Sequence, residues 1–180
     1  SREDQIIHER ERKIKELREQ GIEPYGYSYA KKHSALECAN SKLNSKVKTA
    51  GRIMIKRDIG KIIFAVMRDV SGEIQLVFQE GETPEKIKQF FKRYVDAGDI
   101  VGLEGKIVKT KTGQISIMVN EIELLSKAMK PLPEKFHGIQ DKEERYRKRY
   151  LDLITNPEVK EVFNKRALIM ETIREILKKK

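Results

Sequence analysis

The stretch FAVMRDVSGEIQLVF, residues 64–78, decides the fold. Its two ends are apolar runs rich in β-branched and aromatic residues, and DVSG between them carries turn-forming Asp, Ser and Gly, so it reads as a β-hairpin. Taking Ser71-Gly72 as a two-residue turn pairs Val70 with Glu73, Arg68 with Gln75, Met67 with Leu76 and Ala65 with Phe78. Alternation then puts Ile63, Ala65, Met67, Ile74, Leu76 and Phe78 on a core face, and Phe64, Val66, Arg68 and Gln75 on the other. A ring and a carboxamide thus share the solvent side of one ribbon, and nothing in the core requires either. A one-residue slip would reverse the faces.

The same period extends upstream. Val47, Thr49, Gly51, Ile53 and Ile55 share one face of a strand beginning at Lys46, with Lys48, Arg52 and Lys56 opposite. Gly51, with no side chain to pack, marks a bend or bulge. KRDIGK turns this strand into a second, about 61–68, and DVSG turns that into a third, about 73–79. Pro84 then opens the helix PEKIKQFFKRYV at the first helical position, with Ile87, Phe90, Phe91 and Tyr94 on its apolar side. Two strands follow at about 100–109 and 114–124, joined by TKTG, with Val101, Leu103, Gly105 and Ile107 inward in one and Ile115, Ile117 and Val119 in the other. Three strands, a helix and two strands within 46–126 is the element order of a five-stranded OB-fold, a β-barrel whose helix between strands three and four plugs one end.

Helices flank the barrel. Residues 1–45 form an N-terminal extension: a helix over 1–20 with Ile6, Ile7, Ile14 and Leu17 on one stripe, a loop, and a short helix over 35–44. The opposite face of the first helix, with Arg10, Arg12, Lys13, Lys15 and Arg18, reads as solvated. A connector follows at 127–140, punctuated by the prolines of KPLPEKFHG. Within 141–180, DKEERYRKRYLDLI forms one helix with Asp141 as N-cap and Glu144 at the matching position. A second helix starts at Asn156 as N-cap with Pro157 in its first turn. Its stripe of Val159, Val162, Phe163, Ile169, Met170, Ile173, Ile176 and Leu177 still runs where the sequence stops, and is expected to pack on a further domain and a dimer partner.

Composition narrows the function. Against 28 acidic residues stand 38 basic ones, and the net charge of +10 suits a polyanionic partner, nucleic acid before membrane. The single cysteine, Cys38, excludes an internal disulfide and fits a reducing, cytoplasmic setting. The longest apolar run, 62–67, is too short to cross a bilayer. His8, His33 and His137 are too scattered for a metal site. No nucleophile–base set or phosphate-cradling glycine loop occurs, and Asp99 and Glu104 read as strand-edge charges.

In OB-folds the face of strands two and three, with the loops joining strands one to two and four to five, binds oligonucleotides. Both loops here are basic, with Lys56, Arg57 and Lys61 in the first and Lys109 and Lys111 in the second. An outer Phe64 offers a stacking platform, Gln75 can both donate to and accept from a base edge such as uracil, and Arg68 shares their face.

Several stretches resemble one family. PLPEKFHGIQDKEERYRKRYLDLI resembles the segment linking the anticodon-binding and catalytic domains of class II lysyl-tRNA synthetases, and VKTAGRIMIKR, MRDVSGEIQ and GKIVKTKTGQISI match that family's barrel in order. Aspartyl and asparaginyl relatives share the barrel and the Phe/Gln pair but resemble the linker less; a free-standing OB module binding single strands would not need that linker. The resemblance implies that Phe64 stacks on a tRNA anticodon, that Gln75 recognises its central uracil and that Arg57 contacts the same base region. Gln114 stands where that family usually has glutamate, replacing an acceptor-only group. It also implies a dimeric parent enzyme that uses ATP and magnesium, with neither needed by this stretch, which lacks the second and third motifs and should not aminoacylate alone.

Overall fold

The computed structural model describes residues 2–133, 139 and 141–179. The elements are α1 (Arg2–Glu19), α2 (Ala35–Asn40), β1 (Lys46–Ile59), β2 (Ile62–Arg68), β3 (Glu73–Gln79), α3 (Glu85–Tyr94), β4 (Ile100–Lys109), β5 (Ile115–Ser126), α4 (Lys142–Arg147), α5 (Arg149–Thr155) and α6 (Pro157–Lys178). The chain divides into two compact units, Ser1–Pro131 and Leu132–Lys180. Part of the expected connector, 134–138, His137 included, lies outside the described residues.

In the first unit the five strands close in the order β1-β2-β3-β5-β4, antiparallel except for β3 beside β5. The hairpin register differs from the two-residue turn expected. Arg68 pairs with Glu73, Met67 with Ile74 and Val66 with Gln75, so four residues, 69–72, make the loop. Asp69 explains why. Its carboxylate accepts from the Ser71 and Gly72 N–H groups at 2.7 and 3.2 Å and from the Ser71 hydroxyl at 2.6 Å, and it also accepts from the Ala35 N–H at the start of α2. An acidic side chain satisfying its own turn's donors favours the wider loop. The displacement is two residues, which preserves parity: Ile63, Ala65, Met67, Ile74, Leu76 and Phe78 are all buried.

Strand β1 departs further. Its register against β2 shifts between Ile53 and Ile55, so the bulge sits around Met54 and not at Gly51. Gly51 instead permits close approach, since a Cβ there would lie 2.6 Å from the Arg68 carbonyl oxygen. Beyond the bulge parity inverts. Ile55 and Arg57, opposite Val66 and Phe64, come to the outer face, while Lys56 stands opposite buried Ala65.

Helix α3 closes one end, Phe91 stacking on Phe78 with ring centroids 4.0 Å apart. Glu85 is its first residue and Pro84 occupies the N-cap. Below it lies a buried charge network. Lys127 Nζ donates to Asp96 and Asp99 at 2.6 Å each and to the Tyr94 carbonyl at 2.8 Å. Asp99 is thus no strand-edge charge; it is fully buried, and burial raises its pKa against the pull of Lys127. Burial also pushes on Asp96, but Lys127 and Lys13 outweigh it and lower that pKa. Arg10 of α1, expected on a solvated face, is buried and donates to the carbonyls of Ala128, Lys130 and Ala97 at 2.7, 2.9 and 3.0 Å. A planar five-donor fork suits that convergence, and α1 is held to the barrel by it.

In the second unit, the single helix expected over 141–154 is two. Asp141 caps α4 as expected, accepting from the Glu144 N–H at 2.7 Å, but Lys148 leaves helical geometry at φ −114°, ψ 49°. Buried Asp152 accounts for the break: it receives Arg145 from α4 at 2.9 Å and pairs with Arg149 of α5, a convergence a straight helix would hold two turns apart. Asn156 fills the N-cap position of α6 without capping it, donating to Asp152 at 2.7 Å. The α6 stripe is exposed from Val162 to Leu177, with only Val159 buried.

Candidate nucleic-acid interface

The site follows from the registers. Across β1, β2, β3 and β5, Arg57 stands opposite Phe64, Phe64 opposite Val77 and Val77 opposite Met118. One step along, Ile55 stands opposite Val66, Val66 opposite Gln75 and Gln75 opposite Ser116. Phe64 and Gln75 are therefore diagonal neighbours on adjacent strands, at a spacing of about 7–8 Å. This face lines an open cavity of about 580 Å³, its floor apolar from Ile55, Phe64, Val66 and Val77, its rim polar from Arg57, Gln75, Gln79 and Gln114. The volume lies in the ordinary range for small-ligand sites.

The β4–β5 loop supplies the rest of the rim. Lys109, Lys111 and Gln114 line the cavity with Thr110 and Thr112. The loop is closed by the Thr110 N–H on the Gln114 carbonyl at 2.9 Å and the Gly113 N–H on the Thr110 carbonyl at 2.9 Å, with Gly113 at φ +88°, a conformation glycine adopts without strain. Among the described residues no acidic side chain pairs with Arg57, Lys61, Lys109 or Lys111.

Of the sequence-predicted residues, Arg57, Phe64, Gln75, Gln114, Lys109 and Lys111 come together here. Lys61 is exposed in the β1–β2 turn, its carbonyl accepting from Lys88. Two are placed elsewhere. Lys56 turns to the C-terminus of α3, donating to the carbonyls of Phe91, Lys92 and Val95 at 2.8, 2.8 and 2.7 Å, and burial lowers its pKa to about 8. Arg68 lies at the far end of the ribbon, its Nε on Glu73 at 2.7 Å. Sequence reasoning missed Ser116, fully buried behind Gln75, whose Oγ donates to Gln75 Oε1 at 2.7 Å. Its signal was a small polar residue at the outward parity of an otherwise apolar strand, ISIMV, but only the parallel β3–β5 pairing brings it to Gln75.

The surface can hold an unpaired base against Phe64, offer amide and guanidinium groups to its edge, and hold phosphates on loop cations. Residues 47–125 match the family model described as an OB-fold nucleic acid binding domain. Nearly the whole chain is similar to lysine–tRNA ligases. That of Carboxydothermus hydrogenoformans is 44% identical over 179 residues, covering 98% of this chain and 36% of the relative. Those of Syntrophomonas wolfei and Methanoculleus marisnigri are 48% and 43% identical, each covering 92% of this chain and 34% of the relative. The chain spans about a third of the length of these relatives.

Proposed function

We propose that this chain, whose residues 47–125 are an OB-fold nucleic acid binding domain matching that of lysine–tRNA ligases, recognises the anticodon of a lysine tRNA on behalf of such a ligase. The observation that carries the reading is the convergence of Phe64, Gln75, Arg57 and Gln114 on one apolar-floored cavity, rimmed by lysines that have no acidic partner among the described residues. The ring of Phe64 stacks the central base, Gln75 and Arg57 read its edge, and Lys109 and Lys111 hold the backbone. Gln114, able to donate as well as accept, reaches a neighbouring nucleotide.

Binding of labelled stem-loops with UUU, GUC and GUU anticodons, with a scrambled loop as control, tests this directly. The UUU loop should bind tightest, and Phe64→Ala and Gln75→Ala should each weaken it by about 1–3 kcal/mol. Unchanged curves for both variants would refute the assignment. We assign lysine activation, with ATP and magnesium, to parts of a ligase outside these residues, and expect no ATP–pyrophosphate exchange from this chain alone. The exposed apolar stripe of α6 supports a homodimer contact in the parent, to be checked by the mass in solution of Ile173→Glu and wild-type protein. Among the described residues no helix is long and apolar enough to cross a membrane. A single cysteine, Cys38, fits a reducing compartment and supports our placing the protein in the cytoplasm.

A further inference from the structure

An amide is degenerate as a reader of pyrimidines. Uracil presents an N–H at ring position 3 beside an acceptor oxygen at position 4; cytosine presents the reverse, an acceptor nitrogen beside an amine. With the ring's pose fixed by its stack and its ribose tether, positions 3 and 4 each meet one end of the glutamine. A carboxamide free to turn over about its last torsion matches either base.

Gln75 is not free in this way. Ser116 is fully buried behind it, and the hydroxyl has one proton to give. Two oxygens stand near: Gln75 Oε1 at 2.7 Å and the Gln114 carbonyl at 3.4 Å. The first lies at the usual length for an O–H···O bond and the second well outside it. Turning the amide over would set Nε2 against Ser116 Oγ and leave the hydroxyl proton only the distant Gln114 carbonyl. We infer that Ser116 is a specificity-determining positioning residue: its hydroxyl pins Gln75 Oε1 toward the barrel wall and so commits the amide to one of the two pyrimidine patterns. The inference rests on the anticodon reading above, which takes the committed pattern to be uracil. Ser116 touches no nucleotide in this account; it acts through Gln75.

The test uses the full chain and two stem-loops that differ only in uracil or cytosine at the centre of the anticodon, with wild type, Ser116→Ala, Ser116→Thr and Gln75→Ala. The readout is the ratio of the two dissociation constants, which a general loss of packing does not move. Losing one neutral hydrogen bond's worth of bias should reduce the uracil preference of Ser116→Ala by about three- to tenfold. Ser116→Thr, which keeps the hydroxyl, should hold the ratio. A ratio unchanged in Ser116→Ala while Gln75→Ala still weakens binding overturns the inference and leaves the anticodon reading standing. A wild-type preference for cytosine overturns the assignment of the committed pattern. If Gln75→Ala changes nothing, the reading itself fails and the role of Ser116 falls with it.

Discussion

Replacing Lys56 by methionine separates two roles that a lysine on an OB-fold loop can have. The methionine keeps an apolar stem over the Phe91 ring, where the ammonium now lies 5.1 Å from the centroid, and removes only the charge and its donors. Three carbonyls at the end of α3 are left without that donor. A hydrogen bond to a charged group contributes about 1.5–3 kcal/mol, but one ammonium shared three ways cannot supply three full bonds. One of the carbonyls belongs to exposed Lys92 and can turn to water, and the burial that lowers the lysine's pKa is itself a cost removed by the change. The net loss should be about 2–3 kcal/mol, which in a chain of this size lowers Tm by about 4–12 °C. Since the side chain points away from the cavity, the slope of log K against log salt for stem-loop binding should not change. Lys109→Met with Lys111→Met should do the opposite: stability within about 0.5 kcal/mol of wild type, and a slope shallower by about 0.7 for each phosphate no longer neutralised. The assays are a thermal melt and a salt titration of binding on the same preparations. A Lys56→Met protein with unaltered Tm and a shallower salt slope would refute the helix-capping role and return Lys56 to the phosphates.

Lys56 also carries a pH signature. Its folded pKa is lowered by burial from 10.5 to about 8, so between those values the unfolded chain holds a proton the folded chain has released; stability should rise with pH across that window, and Lys56→Met should remove that increment in denaturant titrations. Burial alone would raise the Asp69 carboxyl, but Lys31, the Ser71 hydroxyl and the Ala35 and Ser71 N–H groups hold it far below the ordinary value. Its contribution should persist down to about pH 4 and fade as pH falls through the lower folded value, and Asp69→Asn should cost about 1–3 kcal/mol by loosening the β2–β3 loop, read by hydrogen exchange at Ser71 and Gly72. A Cβ at Gly105 would overlap the Met118 carbonyl oxygen, so Gly105→Ala should destabilise the barrel by about 1–3 kcal/mol in chemical denaturation.

The hairpin shows what alternation can and cannot determine. Choosing Ser71-Gly72 as the turn misplaced every cross-strand pair by two, yet the face of Phe64 and Gln75 came out right because two is the period of the side chains. Strand β1 had no such protection. Ile53-Met54-Ile55 is apolar at every position, so no change of polarity marks which residue the bulge leaves unpaired. Every side chain beyond it changed face, bringing Arg57 beside Phe64 and turning Lys56 inward. Buried charges escaped for another reason. Arg10, Asp99, Lys127 and Asp152 look like surface residues because what makes burial tolerable is a set of partners, most of them remote in sequence. Ser116 needed the β3–β5 closure, the one parallel pairing in the barrel, which follows from topology and leaves no local pattern.

Those partners bear on how the charge of +10 works. Much of the positive surface is spent inside the molecule: Arg12 on Glu9 and Glu16, Lys13 on Asp96, Lys31 on Asp69, Lys48 on Glu104, Arg68 on Glu73, Lys92 on Asp58 and Lys106 on Glu82. Among the described residues Arg57, Lys61, Lys109 and Lys111 have no such partner; Arg57, Lys109 and Lys111 line one opening, and Lys61 is exposed in the β1–β2 turn, between lining residues Ile59 and Ile62. At physiological salt, interactions between exposed charges fade beyond about 8 Å, so cations on the far side of the barrel contribute little to a bound loop. Binding should therefore depend on salt as a small local cluster does, with a log–log slope of about −2 to −3 at roughly 0.7 per neutralised single-strand phosphate, and not the slope near −7 that about ten acting charges would give. Mutating Arg57, Lys109 and Lys111 together to methionine should remove most of that slope. A steep slope that survives the triple change would place the RNA on another face of the molecule, and the cavity would lose its claim to the anticodon.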